Sequence, residues 1–302
     1  MRNKLAQKIK LGAALLLMAG TSAFAQTSNQ IYTPTPENIK ARQEFQDNKF
    51  GIFLHWGIYS MTAQGEWYMN THNINRNEYA KLASGFYPSR FDAAEWVSAI
   101  KTSGAKYICI TSRHHDSFSM FDTKESDFNI VDATPFKRDI LKELAEECQK
   151  QGIKLHFYYS HLDWFRDDYP EGNTGHGTGR PKGHGNWASY YKFMNKQLTE
   201  LLTNYGPVGA ISPKELIHYL VKAAGKNANL LMNIGPQPNG ELPATAVEHL
   251  KQVGKWMNQY GETIYGTRGG DVVPHTWGVS TRKGDRLFIH ILDLQDDALY
   301  IS

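Results

Sequence analysis

Cysteine is scarce in this chain: Cys109 and Cys148 are its two thiols in 302 residues. A disulfide-stapled scaffold is excluded, because two thiols cannot close a framework. Past residue 25 no apolar run approaches the roughly 20 residues that a membrane helix needs. No block of Lys or Arg follows either, so nucleic acid is not an expected partner. Gly-x-Ser-x-Gly is missing, which excludes the nucleophile elbow of an α/β-hydrolase. No Gly-x-Gly-x-x-Gly follows a strand and no His-Glu-x-x-His occurs, so dinucleotide and zincin sites have no support and no cofactor is expected. No repeat of solenoid period is visible.

What is present begins with a leader. Arg2, Lys4, Lys8 and Lys10 precede an apolar stretch at 11–18, and Ala23-Phe24-Ala25 is a small-x-small cleavage site. This pattern predicts a signal peptide over 1–25, export to the periplasm or beyond, and no membrane insertion after cleavage. Removing four positive charges and no negative one takes the formal charge from +3 to −1. The apparent basicity therefore belongs to the leader. Both cysteines fall in apolar patterns, which predicts buried free thiols.

From residue 50 short β-rich runs alternate with helical periodicity. Strands are predicted at 50–56, 107–111, 153–160, 208–211 and 229–234, with a further one at 287–292. Helices are predicted at 92–103, 139–151, 187–204, 212–225 and 245–260. Alternation of this kind implies parallel βαβ units. Ser212-Pro213-Lys214-Glu215 reads as a capping box, which gives Glu215 a helix-start role. The Gly-rich stretch 171–187 is either a plain surface loop or a lid over a ligand.

Three of the runs end in polar side chains: His55, then His114-His115-Asp116, then His161 and Asp163. Ligands bind at strand C-termini in barrels and in doubly wound sheets alike. Histidines, Glu66, Trp67 and Tyr159 offer hydroxyl partners and apolar faces together, the mixture a sugar requires. A metal site is the rival reading of the histidines, and backbone-bonded structural histidines are another. Neighbours inside a strand point to opposite faces, so His114 and His115 can converge only where the strand ends.

These residues carry a resemblance. The run 50–57 (FGIFLHWG), Gly65-Glu66-Trp67-Tyr68, the run 111–118 (TSRHHDSF), Tyr158-Tyr159-Ser160 with Asp163-Trp164, Tyr205-Gly206-Pro207-Val208 and the run 229–236 (NLLMNIGP) resemble, in order, motifs of family 29 glycoside hydrolases, the α-L-fucosidases. The resemblance spans about residues 31–302. It implies an α/β fold, a (β/α) barrel of the glycosidase type over 26–266, followed by the start of a β-sandwich over 267–302. It also implies hydrolysis of terminal α-L-fucose from a fucosylated glycan with retention, and a fucose pocket lined by His55, Glu66, Trp67, His114, His115 and Tyr159, with His161 beside them. No metal is implied.

One departure stands out. A retaining glycosidase needs two carboxyl groups about 5–5.5 Å apart. The resemblance places the nucleophilic Asp directly after the Tyr-Gly-Pro-Val strand, yet here Ile211 runs straight into Ser212. The expected nucleophile and acid/base residue are both missing, together with three barrel strands. The chain thus reads as an internally deleted, incomplete barrel, with a fucose-binding protein that has lost its catalytic pair as the alternative function.

Overall fold

A computed structural model describes residues 36–170, 174–205, 208–209, 217–275 and 277–292. The expected leader, the capping box at 212–215 and Ile211 lie outside these residues. Five parallel strands form one sheet: β1 (Phe50–Leu54), β2 (Tyr107–Arg113), β3 (Lys154–Tyr159), β4 (Val208–Gly209) and β5 (Leu230–Ile234). Their order is β4-β3-β2-β1-β5. The last strand thus returns to pair with the first, along its full length from Phe50↔Leu230 to Leu54↔Ile234. A closed barrel gives every strand two neighbours. Among the described residues β4 and β5 have one each, so the sheet is an open arc.

Side-chain alternation divides the arc into two faces. Phe50, Ile52 and Leu54 of β1 join Ile108 and Ile110 of β2 and Leu230, Met232 and Ile234 of β5 in the large core under the helices. Phe53, Tyr107, Cys109 and Leu231 form a separate cluster on the concave face. With both faces covered, the strands read as near-continuous apolar runs. Gly51 is needed where it stands, since a Cβ there would sit 2.3 Å from the Tyr107 ring.

The helices obey local chemistry. Asp92 caps Ala93–Thr102 by accepting from Glu95 N at 2.9 Å, and Trp96, Val97 and Ile100 face inward. Asp139 caps Ile140–Gln151 by accepting from Lys142 N at 3.0 Å, and Gly152 ends it at φ 72°. Asn186 caps Trp187–Asn204 by accepting from Ser189 N at 3.1 Å. Each cap satisfies an N–H that the helix itself leaves unbonded, worth about 1 kcal/mol. No described helix is long and apolar enough to cross a membrane. Both cysteines are free and buried.

A second, antiparallel sheet follows: β6 (Arg268–Gly269), β7 (Gly278–Lys283) and β8 (Arg286–Ile291). The β7–β8 hairpin turns at Gly284, whose φ is 57°. The sequence signals the turn and β8, whereas β7 lacks a distinctive pattern. Val279 of β7 packs so closely on Gly225 that a Cβ there would lie 2.6 Å away.

Candidate active site

The strand C-termini of β1, β2 and β3 place aromatic and imidazole rings together. His55 follows β1 and donates its backbone N–H to Ile234 O at 3.0 Å, which fixes it against β5. Thr111 fastens β1 to β2: its Oγ1 accepts from Trp56 N at 3.0 Å and donates to Trp56 O at 2.6 Å. Tyr59 Oη lies 3.1 Å from the same hydroxyl. The β2–β3 register slips between Thr111 and Arg113, and β2 ends at Arg113. His114 and His115 therefore escape strand alternation and lie side by side, ring centroids 4.1 Å apart at 44°.

His55 and His114 meet edge to face at 4.9 Å. Tyr59 lies 5.1 Å from His114. Tyr158 closes the group, 6.1 Å from His55 and 5.8 Å from His114. On the other flank Trp67, His115 and Trp164 form a triangle of rings with centroids 5.4, 5.1 and 5.0 Å apart. Glu66 acts on His55 and on Tyr59 through its charge.

Burial sets the protonation. Desolvation holds His114 well below the usual histidine value, and the charges of His115, His55 and Arg113 add to it. His115 is pushed down to about 4 by burial and by the charges of His55 and Arg113. Burial lowers His55 as well, against the attraction of Glu66. Neutral imidazoles carry one donor and one acceptor each, the pair of roles a hydroxyl also has. His55 Nε2 and His114 Nδ1 are buried and have no hydrogen-bond partner among the described residues. Such atoms cost about 1–3 kcal/mol each until something fills them. Asp116, fully buried, accepts from Tyr79 Oη at 3.0 Å and from Phe118 N at 3.1 Å. Its carboxyl is pushed up to about 6 by burial.

Of the residues expected from sequence, His55, Trp67, His114 and His115 come together, with Glu66 close enough to act on His55. Two do not. Tyr159 lies on the opposite face of β3, where its hydroxyl donates to Gln197 Oε1 at 2.8 Å and its ring receives Arg113 at 5.3 Å. Strand alternation gives the reason: Leu155, Phe157 and Tyr159 face the helices, and His156 and Tyr158 face the concave side. His161 is exposed, and its carbonyl accepts from Tyr190 Oη at 3.1 Å. Tyr59, Tyr158 and Trp164 join the cluster without having been expected. The period of two could have revealed Tyr158; nothing local could have revealed Tyr59.

Asp163 is not in the pocket but buried against Arg113. The Gly-rich loop, described from 174 onward, is tied down: Trp164 Nε1 donates to Thr174 Oγ1 at 3.0 Å and Gly175 N to Asn70 Oδ1 at 2.6 Å. A cleft of about 540 Å³ lined in part by Arg76, Phe165, Arg166 and Asp167 contains none of the clustered rings. Among the described residues no three His, Cys, Asp or Glu side chains are grouped to hold a metal ion.

The family model described as Alpha-L-fucosidase matches residues 18–211 and 208–262. The chain belongs to the alpha-L-fucosidase family. The plasma alpha-L-fucosidase of Rattus norvegicus is 27% identical over 390 positions, covering 93% of this chain and 83% of the relative. The human plasma alpha-L-fucosidase is 25% identical over 362 positions, covering 83% and 77%. Among solved structures, alpha-L-fucosidase isoenzyme 1 from Paenibacillus thiaminolyticus superposes with a TM-score of 0.75 at 27% identity, covering 83% of each chain. The Thermotoga maritima alpha-fucosidase, solved with a mechanism based inhibitor, gives 0.69 at 26% identity over 85% of each. The α-L-fucosidase fold is thus present here as a (β/α) barrel that is not closed among the described residues.

Proposed function

We propose that this fucosidase-family chain is an exported α-L-fucosidase, whose strand-end cluster holds a terminal α-L-fucose of a glycan for hydrolysis with retention. The observation that carries the reading is the pair of buried nitrogens, His55 Nε2 and His114 Nδ1, without a hydrogen-bond partner among the described residues and set among clustered aromatic rings at the strand ends. A pyranose supplies hydroxyls for the former and an apolar ring face for the latter. His55, Glu66, Trp67, His114, His115 and Tyr158 form the sugar-binding set. Residues 26–266 make up the barrel domain and 267–302 the sandwich portion. Export follows from the leader, with cleavage after Ala25.

The reaction needs two carboxylates, and the family resemblance implies that they belong to the stretch that should follow β4. The rat alignment spans 390 positions but takes in 93% of 302 residues, roughly 281, so about 110 positions of the relative have no counterpart here. The human alignment gives about 110 again, from 362 positions against roughly 251 residues. A βα unit takes about 30 or more residues, so about 110 positions correspond to three units. Added to five strands, these would complete the eight of a closed barrel. The two pieces of the family match meet at 208–211, at β4. This supports an internal deletion there.

That deletion favours a second reading, fucose binding without turnover. The mature chain, shown to be folded by circular dichroism, is given an aryl α-L-fucoside. Chromophore release with retained anomeric configuration establishes the enzyme and places both carboxylates among the residues present. Saturable binding of L-fucose without release establishes the binding protein. The absence of both binding and release overturns the assignment of the pocket.

A further inference from the structure

We propose that Arg113 and Asp163 are positioning residues for the pocket, locking the β2 and β3 end loops so that His115 and Trp164 face one another. The inference rests on the fucose-pocket reading.

Both side chains are completely buried and form an ion pair. Arg113 Nη2 also donates to Ser117 Oγ at 2.9 Å, and Ser117 Oγ donates to Asp163 Oδ2 at 2.9 Å. Arg113 Nη1 donates to Ser160 O at 3.3 Å and to Tyr190 Oη at 3.4 Å. Asp163 Oδ1 accepts from Phe165 N at 2.7 Å and from Arg166 N at 2.8 Å. The pocket segments are therefore bracketed. Residues 113 and 117 enclose His114 and His115, and residues 163 and 165 enclose Trp164. Between the brackets Trp164 N donates directly to His115 O at 2.7 Å, and His115 Nδ1 lies 2.5 Å from Ser160 Oγ.

A buried ion pair is a poor device for stability alone, because desolvation offsets most of the attraction and apolar residues of similar volume often serve as well. What it supplies is direction. The planar guanidinium holds several acceptors in one fixed geometry, and here Ser117, Ser160 and Asp163 belong to the two loops that carry the pocket rings, while Tyr190 ties them to the helix Trp187–Asn204.

The test separates positioning from folding. Arg113→Met combined with Asp163→Leu replaces the pair by apolar volume, and Ser117→Ala removes one strut while leaving the charges paired. Melting temperature is measured alongside the dissociation constant for an aryl α-L-fucoside and the ring 15N and 1H shifts of His115. The expected result is a double variant that melts lower than the parent but is folded at the assay temperature, binds at least tenfold more weakly and shows displaced His115 signals, with Ser117→Ala several-fold weaker. Parent affinity with unmoved His115 signals in the double variant overturns the proposal. Should that variant fail to fold, Ser117→Ala decides by the same two readouts. If the parent itself binds no fucoside, the pocket assignment fails instead, and the His115 shifts alone judge the role of the pair.

Discussion

Tyr158 and Tyr159 are adjacent, identical in chemistry and opposite in placement, and substituting each in turn gives a sharp contrast. Tyr159→Phe removes the donor to Gln197 Oε1, and Gln197 is fully buried. Leaving a buried acceptor unbonded costs about 1–3 kcal/mol. For a domain of this size each kcal/mol lowers the melting temperature by roughly 2–4 °C, so a fall of about 2–12 °C is expected. Fucoside affinity should stay within about twofold, since no pocket ring is touched. Tyr158→Ala should do the reverse. It removes a ring lying against both His55 and His114. Loss of at least about 1.4 kcal/mol of binding, tenfold in affinity, is expected. Binding is read by calorimetric titration with an aryl α-L-fucoside at 15 °C, well below both melting transitions. Abolished binding in Tyr159→Phe with parent affinity in Tyr158→Ala would refute the assignment of faces on β3.

Gly175→Ala should displace Trp164, because φ is 77° and the new Cβ would sit 2.4 Å from Trp164 Cδ1; a shift in tryptophan emission with weaker fucoside binding is the expected signature, and an unchanged spectrum would exclude the contact. Acidification should destabilise the protein. His115 titrates at about 4 folded against 6.5 unfolded, so its contribution is complete above about 6.5 and is lost as pH falls toward about 4. Asp116, at about 6 folded against 3.8 unfolded, contributes in the opposite sense, with stability present at low pH and lost as pH rises through about 6. At about 3 kcal/mol each these two nearly cancel, and His114, which burial also holds well below the usual histidine value, tips the sum toward loss in acid. The melting temperature should therefore fall from pH 6.5 to 4, and the slope should flatten in His114→Gln; a parent whose melting temperature rises over that window would contradict this balance. Cys109 and Cys148 should resist an aromatic disulfide reagent in the folded protein and both react once it is denatured, as burial raises both thiols; fast reaction of the native protein would show that the cores they occupy are open.

Much of the fold was legible because its signals are local. The helix Trp187–Asn204 matched its expected range, since Asn186 caps it and a single apolar stripe runs its length. The helix Ala244–Tyr260 was placed to within a residue for similar reasons. The strands were found as apolar runs but their lengths drifted, as with β2, which continues two residues further than expected to Arg113. The short helices between β1 and the helix Ala93–Thr102 went unseen, because four- and five-residue turns carry no periodicity. Arg113 and Asp163 gave no hint of pairing across 50 positions, since an ion pair between loops leaves no spacing to read.

The sequence by itself determined the family, the βα alternation, the buried thiols and the histidines at strand ends, because motif order and period are properties of the chain read one segment at a time. It also exposed the departure from the family pattern after Ile211, since a missing motif is as visible as a present one. Tertiary structure decided which tyrosine faces the pocket and that Trp164 and Tyr59 join it. It also decided that β5 closes onto β1 while β4 gains no further neighbour among the described residues. Those outcomes depend on which face of a strand turns toward which neighbour, and on contacts between segments far apart in sequence. Only packing in three dimensions fixes them.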